Sequence, residues 1–89
     1  MIFVEYEIRE DCIPNYMSWM QALCENEPDR AVYQSADQGA LFVEVWQHPG
    51  LTVEEVRYYP LRAQLYPYVK GGEERIKAWA FHRVSPLPE

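Results

Sequence analysis

The stretch Leu41-Phe42-Val43-Glu44-Val45-Trp46-Gln47-His48 decides the reading of this chain. Side chains alternate across a strand. Leu41, Val43 and Val45 therefore share one face, and Phe42, Glu44, Trp46 and His48 share the other. Both faces are rich in apolar residues. The stretch Arg75 to Val84 repeats the pattern, with Ile76, Ala78 and Ala80 on one face and Trp79, Phe81 and Arg83 on the other. The remaining chain holds helix enough to cover one such face. A second apolar face needs cover from elsewhere, and exposed apolar surface of that extent marks an interface or a ligand site. The expectation is a homodimer whose sheets face each other.

Outward from that strand, the chain punctuates itself clearly. Ile2 to Ile8 is a strand, with Ile2, Val4, Tyr6 and Ile8 on one face and Phe3, Glu5 and Glu7 on the other. Asp11 is placed to cap a helix carrying Pro14 in its first turn, where proline is tolerated. Ile13, Tyr16, Met17, Met20, Leu23 and Cys24 recur at helical spacing, and Trp19 widens the stripe. Glu25-Asn26-Glu27-Pro28 ends it. Arg30 to Ser35 is a short strand, and Asp37-Gln38-Gly39 turns it into Leu41 to His48. Pro49-Gly50 stops that strand. Thr52-Val53-Glu54-Glu55 has the spacing of a capping box. Val53, Val56 and Tyr59 begin a stripe that Pro60 interrupts. A second helical piece is expected from Pro60, with Leu61, Leu65 and Tyr68, closed by Gly71-Gly72. Pro86-Leu87-Pro88 forms a tail.

The order is strand-helix-strand, strand-helix-strand. It predicts a single ferredoxin-like α+β domain over 1–89, with one four-stranded antiparallel sheet and helices on one face. Right-handed crossovers put the first and third strands at the centre as antiparallel neighbours.

Composition narrows the function classes. Of 89 residues, 48% are hydrophobic, 25% charged and 15% aromatic, which fits one globular domain with a modest core. Eight Lys and Arg against 14 Asp and Glu give a net charge of −6. That balance argues against nucleic acid, which needs a basic patch, and against an anionic membrane surface. No stretch approaches the roughly 18 apolar residues of a membrane span. The opening residues alternate like a strand and carry carboxylates, unlike a leader's apolar run, so a cytoplasmic location is expected. Cys12 and Cys24 stand at the two ends of the first helix. Twelve helical residues separate them by roughly 18 Å, too far for a disulfide. Reduced structural thiols are expected, and no metal site or cofactor.

The chain resembles the dimeric α/β-barrel superfamily, in particular small proteins of the antibiotic-biosynthesis-monooxygenase type. The likeness rests on Glu44-Val45-Trp46 at the end of the third strand, on the interrupted segment Val56-Arg57-Tyr58-Tyr59-Pro60-Leu61, and on Leu65-Tyr66-Pro67-Tyr68-Val69-Lys70-Gly71-Gly72. It covers nearly the whole chain. It implies sheets facing across a homodimer and a barrel between them that receives a flat aromatic or polyketide-like molecule, oxidised without metal or flavin or simply bound. A non-catalytic binding or assembly module with a filled barrel, and a haem-binding protein, are the alternatives it allows. Haem-degrading members imply a histidine on the second helix, where this chain has Arg57-Tyr58-Tyr59-Pro60; tyrosine can hold haem iron, and two tyrosines on an amphipathic helix read as core.

The face expected to line the barrel holds Phe3, Glu5, Val32, Phe42, Glu44, Trp46, Trp79 and Phe81. Phe3, Phe42, Trp46, Trp79 and Phe81 would wall a ligand. Glu5 and Glu44 lie at the centres of the central strands, and centre-to-centre pairing would bring them to about 5 Å. Like-charge proximity and loss of water would then raise one of them above the usual carboxyl value of about 4.3. Such a carboxylate can take a proton from a phenol or enol. A register slip, or pairing with Arg30, Arg83 or a partner-chain cation, would leave both structural. His48 shares the face of Glu44 at roughly 13–14 Å along the strand; it is a catalytic candidate or a solvated rim residue. His82 has the opposite parity and is expected to pack toward the helices, and Trp19 and Met20 are expected in the helix–sheet core.

Overall fold

Ile2, Val4, Tyr6 and Ile8 are all buried, and they set the inner face of the sheet. The computed structural model describes residues 1–84. The Pro86-Leu87-Pro88 tail lies outside the described residues. The strands are β1 (Ile2–Glu7), β2 (Arg30–Gln34), β3 (Leu41–Trp46) and β4 (Lys77–Ala80), and the helices are α1 (Ile13–Glu25) and α2 (Val53–Arg57). They form one antiparallel sheet in the order β2-β3-β1-β4, with β1 and β3 central. This α+β arrangement is compatible with the ferredoxin-like expectation. Tyr16 and Met20 of α1 and Val56 of α2 join Val4, Tyr6, Phe42 and Trp46 in one core cluster, so both helices cover the same face. Among the described residues no helix is long and apolar enough to cross a membrane.

The helix boundaries depart from the sequence reading for local reasons. Asp11 is not the cap of α1. It lies in a 3-10 turn, Glu10–Cys12, and Cys12 precedes the helix without a side-chain cap. Thr52 does cap α2, its Oγ1 accepting from the Glu55 amide at 3.1 Å. Beyond α2 the expected second helix is replaced by 3-10 turns, Pro60–Gln64 and Tyr66–Tyr68. Pro60 and Pro67 each lack an amide proton, and i→i−3 bonds such as Leu65 to Arg62 at 2.9 Å take over. This tighter winding changes which residues turn inward. Arg62, Leu65 and Val69 are buried, while Leu61 and Tyr68 are only half-buried.

β4 is shorter than the expected Arg75 to Val84 and ends at Ala80. Ala80 pairs with Ile2, and the Phe81 amide takes the Met1 carbonyl at 2.8 Å. Gly71 and Gly72 hold φ of 84° and 80°, a left-handed turn that returns the chain to β4.

The register of β3 corrects the assignment of its faces. Val4 lies opposite Glu44, Tyr6 opposite Phe42 and Ile2 opposite Trp46. Directly opposed residues share a face, so Phe42, Glu44 and Trp46 point into the helix-covered core. Leu41, Val43 and Val45 take the open face with Phe3 and Glu5. The expected barrel face therefore loses Phe42, Glu44, Trp46 and Val32, which lies opposite Glu44.

Two substitutions separate the faces. Phe42→Glu should unfold the chain, since an unpaired charge in that core is costly. Phe3→Glu, on the open face, should leave the far-ultraviolet circular dichroism native. Equal loss of structure in both would contradict the assignment.

Candidate functional site

Two places in the fold gather chemistry, one under the helices and one on the bare side of the sheet. The inner one is built on Glu44, which is fully buried. Its Oε2 accepts from Arg62 Nη1 at 2.6 Å and from the Tyr6 hydroxyl at 2.6 Å, and its Oε1 accepts from Trp46 Nε1 at 2.8 Å. Tyr6 has one proton and gives it to the carboxylate. The Tyr16 hydroxyl, 2.6 Å from Tyr6, is then the donor to it. Arg62 also donates through Nη2 to the Val56 carbonyl at 2.9 Å, tying the 3-10 segment to α2. A second guanidinium, Arg30, is buried against the rings of Trp46 at 4.6 Å and Tyr59 at 5.2 Å. Among the described residues its Nε and Nη2 have no hydrogen-bond partner, and ring faces lie against its charge.

Burial, with the Glu44 carboxylate beside it, pushes the Tyr6 phenol well above its ordinary range. Burial also raises Tyr16, against the opposing effect of its hydrogen bond with Tyr6. Burial pushes the Cys24 thiol up, with Arg30 acting the other way. Both cysteines are free and half-buried.

The outer place is a shallow concavity of about 690 Å³ on the open face. Met1, Phe3, Val43, Trp79 and Phe81 give it apolar walls, and Glu5, His82 and Arg83 also line it. Phe3 and Phe81 meet edge to face at 5.0 Å between centroids. Trp79 and Phe81 are exposed, at 41% and 54% of their surface. Their exposure is what a sheet face without cover looks like.

The sequence-stated candidates therefore divide. Phe3, Glu5, Trp79 and Phe81 come together on the open face. Glu44, Phe42 and Trp46 do not join them: Glu44 is on the opposite side of the sheet from Glu5, because Glu5 registers with Val43. The expected carboxylate pair, and the raised carboxyl value that followed from it, lose their geometric basis. His48 lies past the end of β3, exposed, in a turn accepting from the Leu51 amide. His82 lines the concavity instead of packing toward the helices. Tyr58 is exposed under the Arg57 guanidinium rather than in the core, and Tyr59 packs on Trp46. Arg62, Tyr6 and Tyr16 escaped the sequence reading as partners of Glu44. The available signal was Arg62 itself, three residues before Leu65 in a proline-broken segment. Comparison with protein-family models, with curated proteins and with solved structures found no match.

Glu44→Gln should cost about 3–5 kcal/mol of stability by leaving Arg62 buried without its anion. In the pair Glu44→Leu with Arg62→Met, the loss should be smaller than the sum of the single changes, read by urea denaturation. Additivity would mean the two do not act as a unit.

Alkaline pH offers a second check. The native state holds phenol protons that the unfolded chain releases near pH 10. That stability is complete below the unfolded value and declines as pH rises toward the raised native values. Tyr16→Phe should make the decline above about pH 10 shallower by about 1.4 kcal/mol per pH unit. An unchanged slope in urea midpoints would refute the link.

Proposed function

We propose that this chain is a homodimeric small-molecule protein. Two open sheet faces meet, and the concavities between them receive a flat aromatic or polyketide-like molecule. The observation that carries this reading is the aromatic open face: Phe3, Val43, Trp79 and Phe81 surround a concave space with a carboxylate, Glu5, at its side. A small domain gains much from covering such a face, because its own core is modest. The arrangement is that of the dimeric α/β-barrel proteins the sequence resembles.

The geometry narrows the chemistry this reading can use. Glu44 is enclosed by donors of its own chain and cannot touch a molecule in the concavity. Glu5 is the carboxylate available there to take a proton from a bound phenol or enol. Trp79 and Phe3 offer flat faces for stacking. Binding is the primary assignment, and proton abstraction by Glu5 is the chemical step that the monooxygenase-like resemblance adds.

Sedimentation equilibrium at micromolar concentration should give about twice the chain mass of 10.6 kDa. Trp79→Glu should give a folded monomer, since Trp79 is half-open and outside the core. A wild-type monomer sinks the facing-sheets assembly.

A further inference from the structure

The open face has an aromatic half and a basic half. Phe3, Glu5 and Glu7 share it along β1, and β4 sets Trp79 opposite Phe3 and Lys77 opposite Glu5. The aromatic concavity lies at the Phe3 end, and a second one of about 390 Å³ lies at the Glu7 end. Glu5 lines both, so they adjoin there. Lys70, Arg75 and Lys77 surround the second, with Glu5, Glu7 and Gly71. Three cations against two carboxylates leave it a surplus of one positive charge. Arg83 lines the aromatic half as well. Among the described residues the two halves thus take four of the eight Lys and Arg and two of the 14 Asp and Glu, the reverse of the chain's balance. Lys70 is engaged with Glu7 at 3.8 Å. Arg75 belongs to none of the ion pairs among the described residues. It is also positioned: a Cβ on Gly71 would stand 2.6 Å from Arg75 Cγ and 3.1 Å from its Nε, so the Arg75 side chain lies against bare glycine backbone. Its guanidinium offers the planar fork that fits a carboxylate. Trp79 and Lys77 are two strand residues apart, roughly 7 Å, so one small molecule reaches from ring to cation.

We propose that the open face selects aromatic carboxylates, the ring lying against Phe3 and Trp79 and the acid group toward Arg75 and Lys77. This rests on the concavity being a ligand site, as argued above, and adds the class of ligand. The single surplus charge suits a monoanion. Glu5 stands between the two ends, and Lys77 across the strand pair offsets its repulsion of the acid group.

The test is an NMR titration of the full chain that follows the Trp79 indole N–H. Three probes share one ring and one linker: 3-phenylpropionate, 3-phenylpropanol and 3-phenylpropylamine. The acid should bind about fivefold more tightly than the alcohol, the upper end of what an exposed ion pair contributes, and the amine most weakly. Added salt should erode that preference. Arg75→Gln should bring the acid down toward the alcohol, while Glu74→Gln, which lies outside both concavities, should leave the preference in place. Arg75 and Glu74 are exposed, so both variants should keep a native spectrum. Equal binding of acid and alcohol, tighter binding of the amine, or an acid preference that survives Arg75→Gln combined with Lys77→Gln overturns the carboxylate assignment and leaves a ligand site standing. Absence of any saturable Trp79 shift with all three probes overturns both.

Discussion

The buried carboxylate of Glu44 is the constraint on which the rest of this fold depends. A bare carboxylate under two helices would be prohibitive. Its three donors come from three directions: Tyr6 on β1, Trp46 on its own strand, and Arg62 from the 3-10 segment after α2. Arg62 simultaneously holds the Val56 carbonyl. One acid therefore fixes the central strand pair and the covering segment together. A long proline-broken connection, poorly suited to a regular helix, is anchored by charge as well as by Leu65 and Val69.

That anchor also decides which side of the sheet stays bare. β3 must send Glu44 inward to meet Arg62, and a strand's alternation then takes Phe42 and Trp46 inward with it. Trp46 is used twice, as donor to Glu44 and as a ring surface for Arg30. The slimmer Leu41, Val43 and Val45 face out. They leave room in the middle of the open face, and Phe3, Trp79 and Phe81 from β1 and β4 stand beside it. The concavity is a consequence of placing the bulky side of β3 with the helices.

Much of the architecture was legible because it rests on period and punctuation. The alternation in Ile2 to Ile8, the stripe from Ile13 to Cys24, the turn around Gly39 and the cap at Thr52 each have a local physical cause. The order of elements then supplied the sheet order. The face of β3 was not legible in the same way. With apolar residues at both parities, alternation alone cannot say which side is inside, and Glu44 looked like the polar exception of an outward face. Its partner Arg62 lay in a segment read with helical spacing, which turned Leu61 and Tyr68 inward instead. Only the i→i−3 winding around Pro60 and Pro67 brings Arg62 over the sheet. Glu5 and Phe3 share a face by the alternation of β1, and the pairing of Phe3 with Trp79 brings β4 and the adjoining Phe81 to the same side.

The two carboxylates, first read as a pair, have opposite physical situations that suit opposite roles. Glu44 has three donors and is sealed, so it can hold structure but cannot meet a ligand in the concavity. Glu5 has an aromatic setting and belongs to none of the ion pairs among the described residues. A group left partly desolvated without a partner costs stability unless something else supplies the countercharge. Among the described residues Lys77 is its cross-strand neighbour on β4, and that side chain is exposed. The carboxylate that reaches the open concavity is therefore the one outside the ion pairs of the described residues.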